Sequence, residues 1–295
     1  MKIDKTNGGV CFNEEFHTYW DSNGRYDSVT TIIGKFCHEF DSEFWSLYKA
    51  LEKLIEPAAF AMEKKKLLDT KKIDKAYFID TYELDEIALN NAQQDILDEW
   101  AQTNRESCER GTAIHAELEH SLTKNKTCEF KKYGLGGKFN VYSGDNPLDD
   151  RGIYPEYLIH VEDGDLRLAG QIDLLIKDGN TIHIIDYKTN RKLDEKSYFD
   201  SRTKKNQMMK YPLNNIMDCN KLHYNLQLSI YAWMLQQNNP DLEVGKLIIV
   251  HYDHKGNVTE YELPYLKEDV ERLMKYWKNR AKIERQKEKR KPIEF

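Results

Sequence analysis

Two aspartates and a lysine carry most of the chemical potential in this chain. Asp173 sits inside the strand-like run GQIDLLI, and Asp186 and Lys188 close the apolar run TIHIIDYK. Lys188 follows Asp186 by two residues, so in a strand both side chains fall on one face. A mostly apolar strand ending in D-x-K puts charge at a partly buried edge, and buried charges need a partner or a metal. Phosphodiester hydrolysis asks for this set. The phosphate oxygens are already negative, so a hard divalent cation must sit close to them and help to generate hydroxide. Such cations take carboxylate oxygens. Asp173 and Asp186 are the pair to hold one, the Tyr187 carbonyl can add a ligand, and Lys188 can reach a bound water or the scissile phosphate. On these residues alone, a metal site and a structural ion pair stay equally open, because exposed ion pairs are common and worth little.

The elements that must position these groups are legible around them. Tyr154 to Val161, Leu166 to Ile176 and Thr181 to Tyr187 read as three strands, with turns at Asp163-Gly164-Asp165 and Asp178-Gly179. The apolar third strand predicts a buried position. A helix follows over 221–239, where Gln227 and Tyr231 share a face at a step of four. GKLIIVHY (245–252) and NVTEYE (257–262) then make two more strands around Asp253-His254-Lys255-Gly256, and an amphipathic helix covers 266–290. The order βββαβ is that of a mixed sheet flanked by helices.

Upstream, residues 8–35 read as a β-hairpin or small sheet, with Ser28 to Ile33 either a strand or the entry to a helix. Residues 41–104 are mainly helical. Asp41 is a cap candidate, Phe44, Leu47, Leu51 and Leu54 make one apolar stripe, and Leu89, Ala92, Ile96 and Trp100 make another. A further helix spans 105–124, with His115, Glu119 and Leu122 on one face. A lone helix histidine is more often structural than a ligand. Residues 125–153 form a loop or an extra hairpin around Gly134 to Gly137 and Gly144-Asp145-Asn146-Pro147. The polar connector 191–220 is long for a compact domain. Its Lys and Arg residues beside Tyr198, Phe199 and Tyr211 suit a base-stacking, backbone-tracking loop, and a solvated excursion fits equally. The expected division is 1–104, a β-hairpin and helical subdomain shaping a substrate channel, and 105–295, a core with a basic C-terminal helix.

Composition sets outer limits. The chain has 295 residues, 40% hydrophobic and 32% charged, with net charge −6. This is a globular balance, and local patches rather than net charge decide nucleic-acid binding. No apolar run nears the roughly 18 residues that span a membrane. The N-terminus lacks an apolar leader, so the cytoplasm is the expected place. The five cysteines form no CxxC pair, which argues against a disulfide framework or a structural zinc site.

Four segments, GTAIHAELE (111–119), GQIDLLI (170–176), IIDYKTN (184–190) and NLQLSIYAWML (225–235), occur in an order that resembles the PD-(D/E)XK nuclease superfamily. The likeness is to its branch like the RecB nuclease domain and phage exonucleases, over about residues 105–262. The resemblance implies a restriction-endonuclease-like α/β (α+β) core, a mixed central sheet flanked by helices, carrying the N-terminal hairpin and helical subdomain as additions. It implies His115, Asp173, Asp186 and Tyr187 at Mg²⁺ or Mn²⁺, and Lys188 as the catalytic lysine. Gln227 and Tyr231 match a Q-xxx-Y helix contacting substrate phosphate or that lysine. Glu156, at the start of the first core strand, is a supporting or second-metal candidate, with a solvated strand residue as the plain alternative; Glu119 is a further acidic position. Relatives of the AddB and CRISPR adaptation types hold an iron–sulfur cluster through one early and three late cysteines. No cysteine follows Cys219 here, so no cluster is expected. The implied activity is a metal-dependent DNase, an exonuclease in recombination, repair or phage DNA processing, in a bacterial or phage-infected host cytoplasm. A structure-specific or nicking endonuclease and a catalytically inactive DNA-binding protein are the alternatives. DNA is the implied partner, with a single-strand annealing or helicase protein beside it.

Overall fold

Short strands broken by turn residues build the N-terminal sheet. β1 (Lys5–Asn7), β2 (Val10–Asn13), β3 (Thr18–Asp21) and β4 (Gly24–Ser28) form an antiparallel meander. These coordinates are a computed structural model describing residues 3, 5–132, 135–143, 148–149, 151–200 and 203–289. Ser28 resolves the open reading at its position in favour of a helix. Its hydroxyl accepts from the Thr31 N–H at 3.1 Å and caps α1 (Val29–Phe36), whose Val29, Ile32, Ile33 and Phe36 are buried.

The helical stretch contains α2 (Ser42–Leu54), α3 (Pro57–Thr70), α4 (Lys75–Tyr82) and α5 (Glu86–Thr123). Asp41 caps α2 by accepting from the Phe44 N–H. Phe44, Leu47 and Leu51 are buried as the stripe predicts, whereas Leu54 is exposed. Phe60, Leu67, Phe78, Leu89 and Ala92 complete that core. The two helices expected over 81–104 and 105–124 are one helix, α5, because neither glycine nor proline interrupts residues 86–110.

Next come β5 (Thr127–Phe130) and β6 (Gly137–Val141), which pair as the extra hairpin, while Gly144 to Pro147 lie outside the described residues. The core strands β7 (Arg151–Asp163), β8 (Leu166–Asp178) and β9 (Thr181–Lys188) follow as an antiparallel meander. Gly179 takes φ +61° in the β8–β9 turn, a conformation that costs an L side chain strain. The connector carries only the two-residue strands β10 (Phe199–Asp200) and β11 (Lys205–Asn206). α6 (Asn220–Asn238) is buried nearly all round from Asn225 to Leu235, as a helix inside a core must be. β12 (Glu243–Tyr252) lies parallel to β9, β13 (Val258–Leu263) pairs with β12, and α7 (Lys267–Lys289) follows. Among the described residues, all strands except β10 and β11 join one mixed sheet. Its helices α1, α6 and α7 contribute to one apolar core with β7, β8, β9 and β12.

The chain divides into two compact units, but not at residue 104. One comprises Met1–His38, Gly111–Asp200 and Lys205–Phe295, the other Glu39–Arg110 with Ser201–Lys204. The N-terminal strands belong with the nuclease-like core because β4 pairs in parallel with β8, Asp27 opposite Leu168 and Ser28 opposite Ala169. No helix among the described residues is long and apolar enough to cross a membrane.

Candidate active site

β8 runs beside β7 for its whole length, but its other edge is shared. β4 occupies that edge at Leu168–Ala169 and β9 occupies it at Leu174–Asp178. Between them, among the described residues, Gly170 to Ile172 pair with β7 alone. The sheet therefore opens at the aspartate. Pairing of Pro155 with Leu174 and of Tyr157 with Ile172 sets Glu156 opposite Asp173, and Glu156 itself takes φ +53°. Proline removes a ladder donor and the left-handed residue after it breaks the pleat. The Pro155-Glu156 dipeptide thus brings a carboxylate to the opening. Glu156 accepts a hydrogen bond from the Gln171 amide.

Asp173 also stands in for a missing ladder bond. β8–β9 pairing ends at Leu174 with Ile185, and the Asp173 Oδ2 accepts from the Tyr187 N–H at 2.7 Å. His115, on α5, donates from Nε2 to the Tyr187 carbonyl at 3.1 Å. Its Nδ1 lies 3.7 Å from both Glu156 Oε1 and Asp173 Oδ2. Burial alone would lower the imidazole pKa. The nearby Glu156 carboxylate and the charges of Asp173 and Asp186 outweigh burial and push it up to about 9. The resting site is thus an imidazolium held among carboxylates.

Asp186 and Lys188 do share a face of β9, 2.6 Å apart from Oδ2 to Nζ. Asp186 is 1% exposed, and its Oδ1 accepts from the Gln227 amide at 3.3 Å. Burial raises the Asp186 carboxyl, Lys188 opposes this and Asp173 adds to it, leaving it at about 6. For Asp173 too, burial comes first and the shift is upward despite the His115 and Lys188 charges. Lys188 is depressed by burial but raised overall by Asp186 and Asp173. Its ammonium also lies 4.7 Å from the centre of the Tyr224 ring.

Gln227 donates to the Tyr231 hydroxyl as well, at 3.1 Å. Gly170 makes room for that tyrosine, since a Cβ there would stand 2.5 Å from Tyr231 Cε1. Gln227 and Tyr231 line, with Lys188, Asp173, Glu156 and His115, a cavity of about 460 Å³. The expected site residues therefore gather at one place. Their grouping differs from the sequence expectation in one respect. The donor atoms that converge within 4.8 Å are those of His115, Glu156 and Asp173. Asp186 instead points inward to Lys188 and Gln227, because its end of β9 is buried. A nitrogen and two carboxylates at that spacing, beside a third buried carboxylate, fit a hard divalent cation. The Tyr187 carbonyl lies on the other side of the imidazole, accepting from its Nε2.

Sequence reasoning missed Lys5, whose Nζ lies 3.6 Å from Glu156 and 3.8 Å from Glu119. It also missed Gln171 and the hairpin residues Glu14, His17 and Tyr19 on the cavity wall, and Tyr224 against Lys188. Gln171 was the one with a signal, adjoining Asp173 at a step of two in a strand.

A family model described as the PD-(D/E)XK nuclease superfamily matches residues 30–292. None of the curated proteins matches the sequence. Among solved structures, the protein named SSO0001 is 17% identical, with a TM-score of 0.29, over 75% of this chain and 85% of that one. A protein of Eubacterium rectale, provisionally named an exonuclease, is 14% identical, with a TM-score of 0.35, over 88% of this chain and 81% of that one.

Proposed function

From the premise that the chain belongs to the PD-(D/E)XK nuclease superfamily, whose members use divalent metals on nucleic acid, we propose that it is a Mg²⁺- or Mn²⁺-dependent deoxyribonuclease acting as an exonuclease. The observation that carries the reading is the convergence of His115, Glu156 and Asp173 within 4.8 Å, with Lys188, paired to the buried Asp186, on the same cavity. The exonuclease assignment rests on the motif resemblance to the RecB and phage branch.

In this reading His115, Asp173 and Glu156 would hold the cation, with Asp186 behind them, while the Tyr187 carbonyl fixes the His115 ring through its other nitrogen. A bound divalent cation supplies Lewis-acid stabilisation of the phosphate charge and lowers the pKa of water. The protein groups do the rest. His115 would release its proton to solvent as the cation binds. Lys188, steered by Asp186 and the Tyr224 face, aims its ammonium at the attacking water or the phosphate. Gln227 fixes Asp186 and Tyr231 together, and Tyr231 offers its hydroxyl toward the substrate phosphate. The setting is recombination, repair or phage DNA processing in a bacterial or phage-infected cytoplasm, with unwinding or annealing left to a partner.

The test is cleavage of end-labelled linear duplex, linear single strand and closed circular DNA with Mg²⁺, Mn²⁺ or EDTA, beside Lys188→Ala. Metal-dependent loss of linear DNA, intact circles and an inactive variant are expected. Cut circles would make the enzyme an endonuclease. No cleavage of any substrate would move the reading to a DNA-binding protein without catalysis.

A further inference from the structure

A second cluster of metal-ligating side chains lies away from this cavity, where the end of α1 meets the start of α6. Cys37 caps the C-terminus of α1, and His38 follows it. Asp218 directly precedes Cys219, the N-cap of α6, and His223 stands in the first turns of that helix. His223 Nε2 lies 3.4 Å from Cys37 Sγ and 2.7 Å from Asp218 Oδ1. His38 Nδ1 lies 2.8 Å from the other oxygen, Asp218 Oδ2, which also accepts from the His38 N–H at 2.7 Å. The donor atoms of Cys37, Asp218 and His223 therefore lie within 4.8 Å of one another, with His38 holding the outer oxygen of the same carboxylate, although Cys37 and His223 are 186 residues apart in sequence.

The arrangement is not that of a nucleophilic triad. In a triad the base uses its two ring nitrogens for two partners. Here one nitrogen, His223 Nε2, faces both the sulfur and the carboxylate. Convergence of soft and hard donors on a single point is what a tetrahedral cation requires. Bonds of about 2.0–2.3 Å to nitrogen, oxygen and sulfur put the corners of the tetrahedron roughly 3.3–3.8 Å apart. The Cys37–His223 separation already lies in that range. The carboxylate contacts are shorter, so Asp218 would retreat by about half an ångström as a cation entered. Asp218 is well buried, His223 is partly buried, and His38 lies on the exposed side. An open cavity of about 310 Å³, bordered by Asp194 and Tyr198 of the connector, gives an entry path.

We propose that Cys37, Asp218 and His223 bind a borderline-soft divalent cation of the Zn²⁺ class, with His38 orienting the Asp218 carboxylate. The sulfur and the imidazole select against Mg²⁺, so this site and the carboxylate-rich one discriminate by ligand type. The role is structural. The ion ties the end of α1 to the start of α6, the helix that carries Gln227 and Tyr231. The separation of the cysteines in sequence, with no CxxC, conceals such a site because only one thiolate takes part.

Co²⁺ reports it directly, because a single thiolate ligand gives a near-ultraviolet charge-transfer band that carboxylate sites do not. The full chain, stripped with EDTA and reduced, should bind about one Co²⁺ with that band, and equimolar Zn²⁺ should abolish the band. Cys37→Ser should remove the band, His223→Gln should weaken Zn²⁺ binding at least ~10-fold, and Asp173→Asn should leave the band in place. Alkylation of the unmodified chain, read by mass spectrometry, needs no variant. Zn²⁺ should slow labelling of Cys37 at least ~10-fold while sparing the exposed Cys108. Absence of a thiolate band, its persistence in Cys37→Ser, or equal labelling of Cys37 with and without Zn²⁺ would overturn the proposal. None of these readouts depends on DNA cleavage.

Discussion

Glu156 stands directly across the β7–β8 ladder from Asp173, in the one stretch where β8 has lost its other neighbour. The proline before Glu156 and its own positive φ turn an ordinary strand position into a carboxylate facing His115. If this pair holds the cation with His115, then Glu156→Gln should weaken Mn²⁺ binding by about 10- to 100-fold while leaving the fold intact. Calorimetric titration of the purified variant measures this, and an unchanged affinity would remove Glu156 from the site.

Metal uptake should also release a proton. The His115 pKa is raised from 6.5 to about 9 in the metal-free protein, so at pH 7.5 a cation must displace a proton to reach Nδ1. Affinity for Mn²⁺ should therefore climb with pH until about 9. Binding heats measured in buffers of different ionisation enthalpy should differ by close to one proton; buffer-independent heats would sink this account.

The same group sets a pH dependence of stability in EDTA. A pKa raised by folding stabilises fully below the unfolded value of 6.5, and that contribution disappears as pH rises through about 9. Asp186, raised from 3.8 to about 6, behaves alike at lower pH, its contribution disappearing as pH climbs from about 4 through 6. Urea midpoints should fall between pH 7 and pH 9.5 in the wild type. In His115→Gln that decline should be smaller, and an equal decline would assign it elsewhere.

The buried pair on β9 makes a separate prediction. Removing Lys188 alone strands the Asp186 carboxylate, which is 1% exposed, and should cost about 3 kcal/mol. The double variant Asp186→Asn with Lys188→Met should be more stable than Lys188→Met alone, and both should lack cleavage. Denaturant titration of the cycle decides, and additive losses would mean that the two groups do not interact.

Much of this site was legible because its residues sit at fixed steps along regular elements. Asp186 and Lys188 share a strand face, and Gln227 and Tyr231 share a helix face, whatever the tertiary packing. The hairpin turns at Gly164 and Gly179 were equally local. What stayed hidden depends on which strand abuts which. The meander β1 to β4 joins the core sheet through the pairing of Asp27 with Leu168 and Ser28 with Ala169, so the unit boundary and the arrival of Lys5, His17 and Tyr19 at the cavity had no local signature. The rank order of Glu156 and Asp186 was hidden as well. It follows from the break in β7 and from the inward burial of β9, neither of which hydrophobic periodicity records. The continuous α5 was read as two helices because its polar stretch weakens the apolar stripe without breaking the helix.

Gly170 and Tyr231 occupy, in effect, one volume. The ring lies where a side chain at 170 would begin, so the two positions are not free to drift independently. Gly170→Ala should cost about 1–3 kcal/mol, and part of that loss should return when Tyr231 is shortened to Ala. Among diverging copies of this gene, a larger residue at 170 should be found only in company with a smaller one at 231. Because Tyr231 also holds Gln227, and through it Asp186, such a paired exchange would reach Lys188. A glycine with no functional group of its own thereby limits which lineages can keep the reaction.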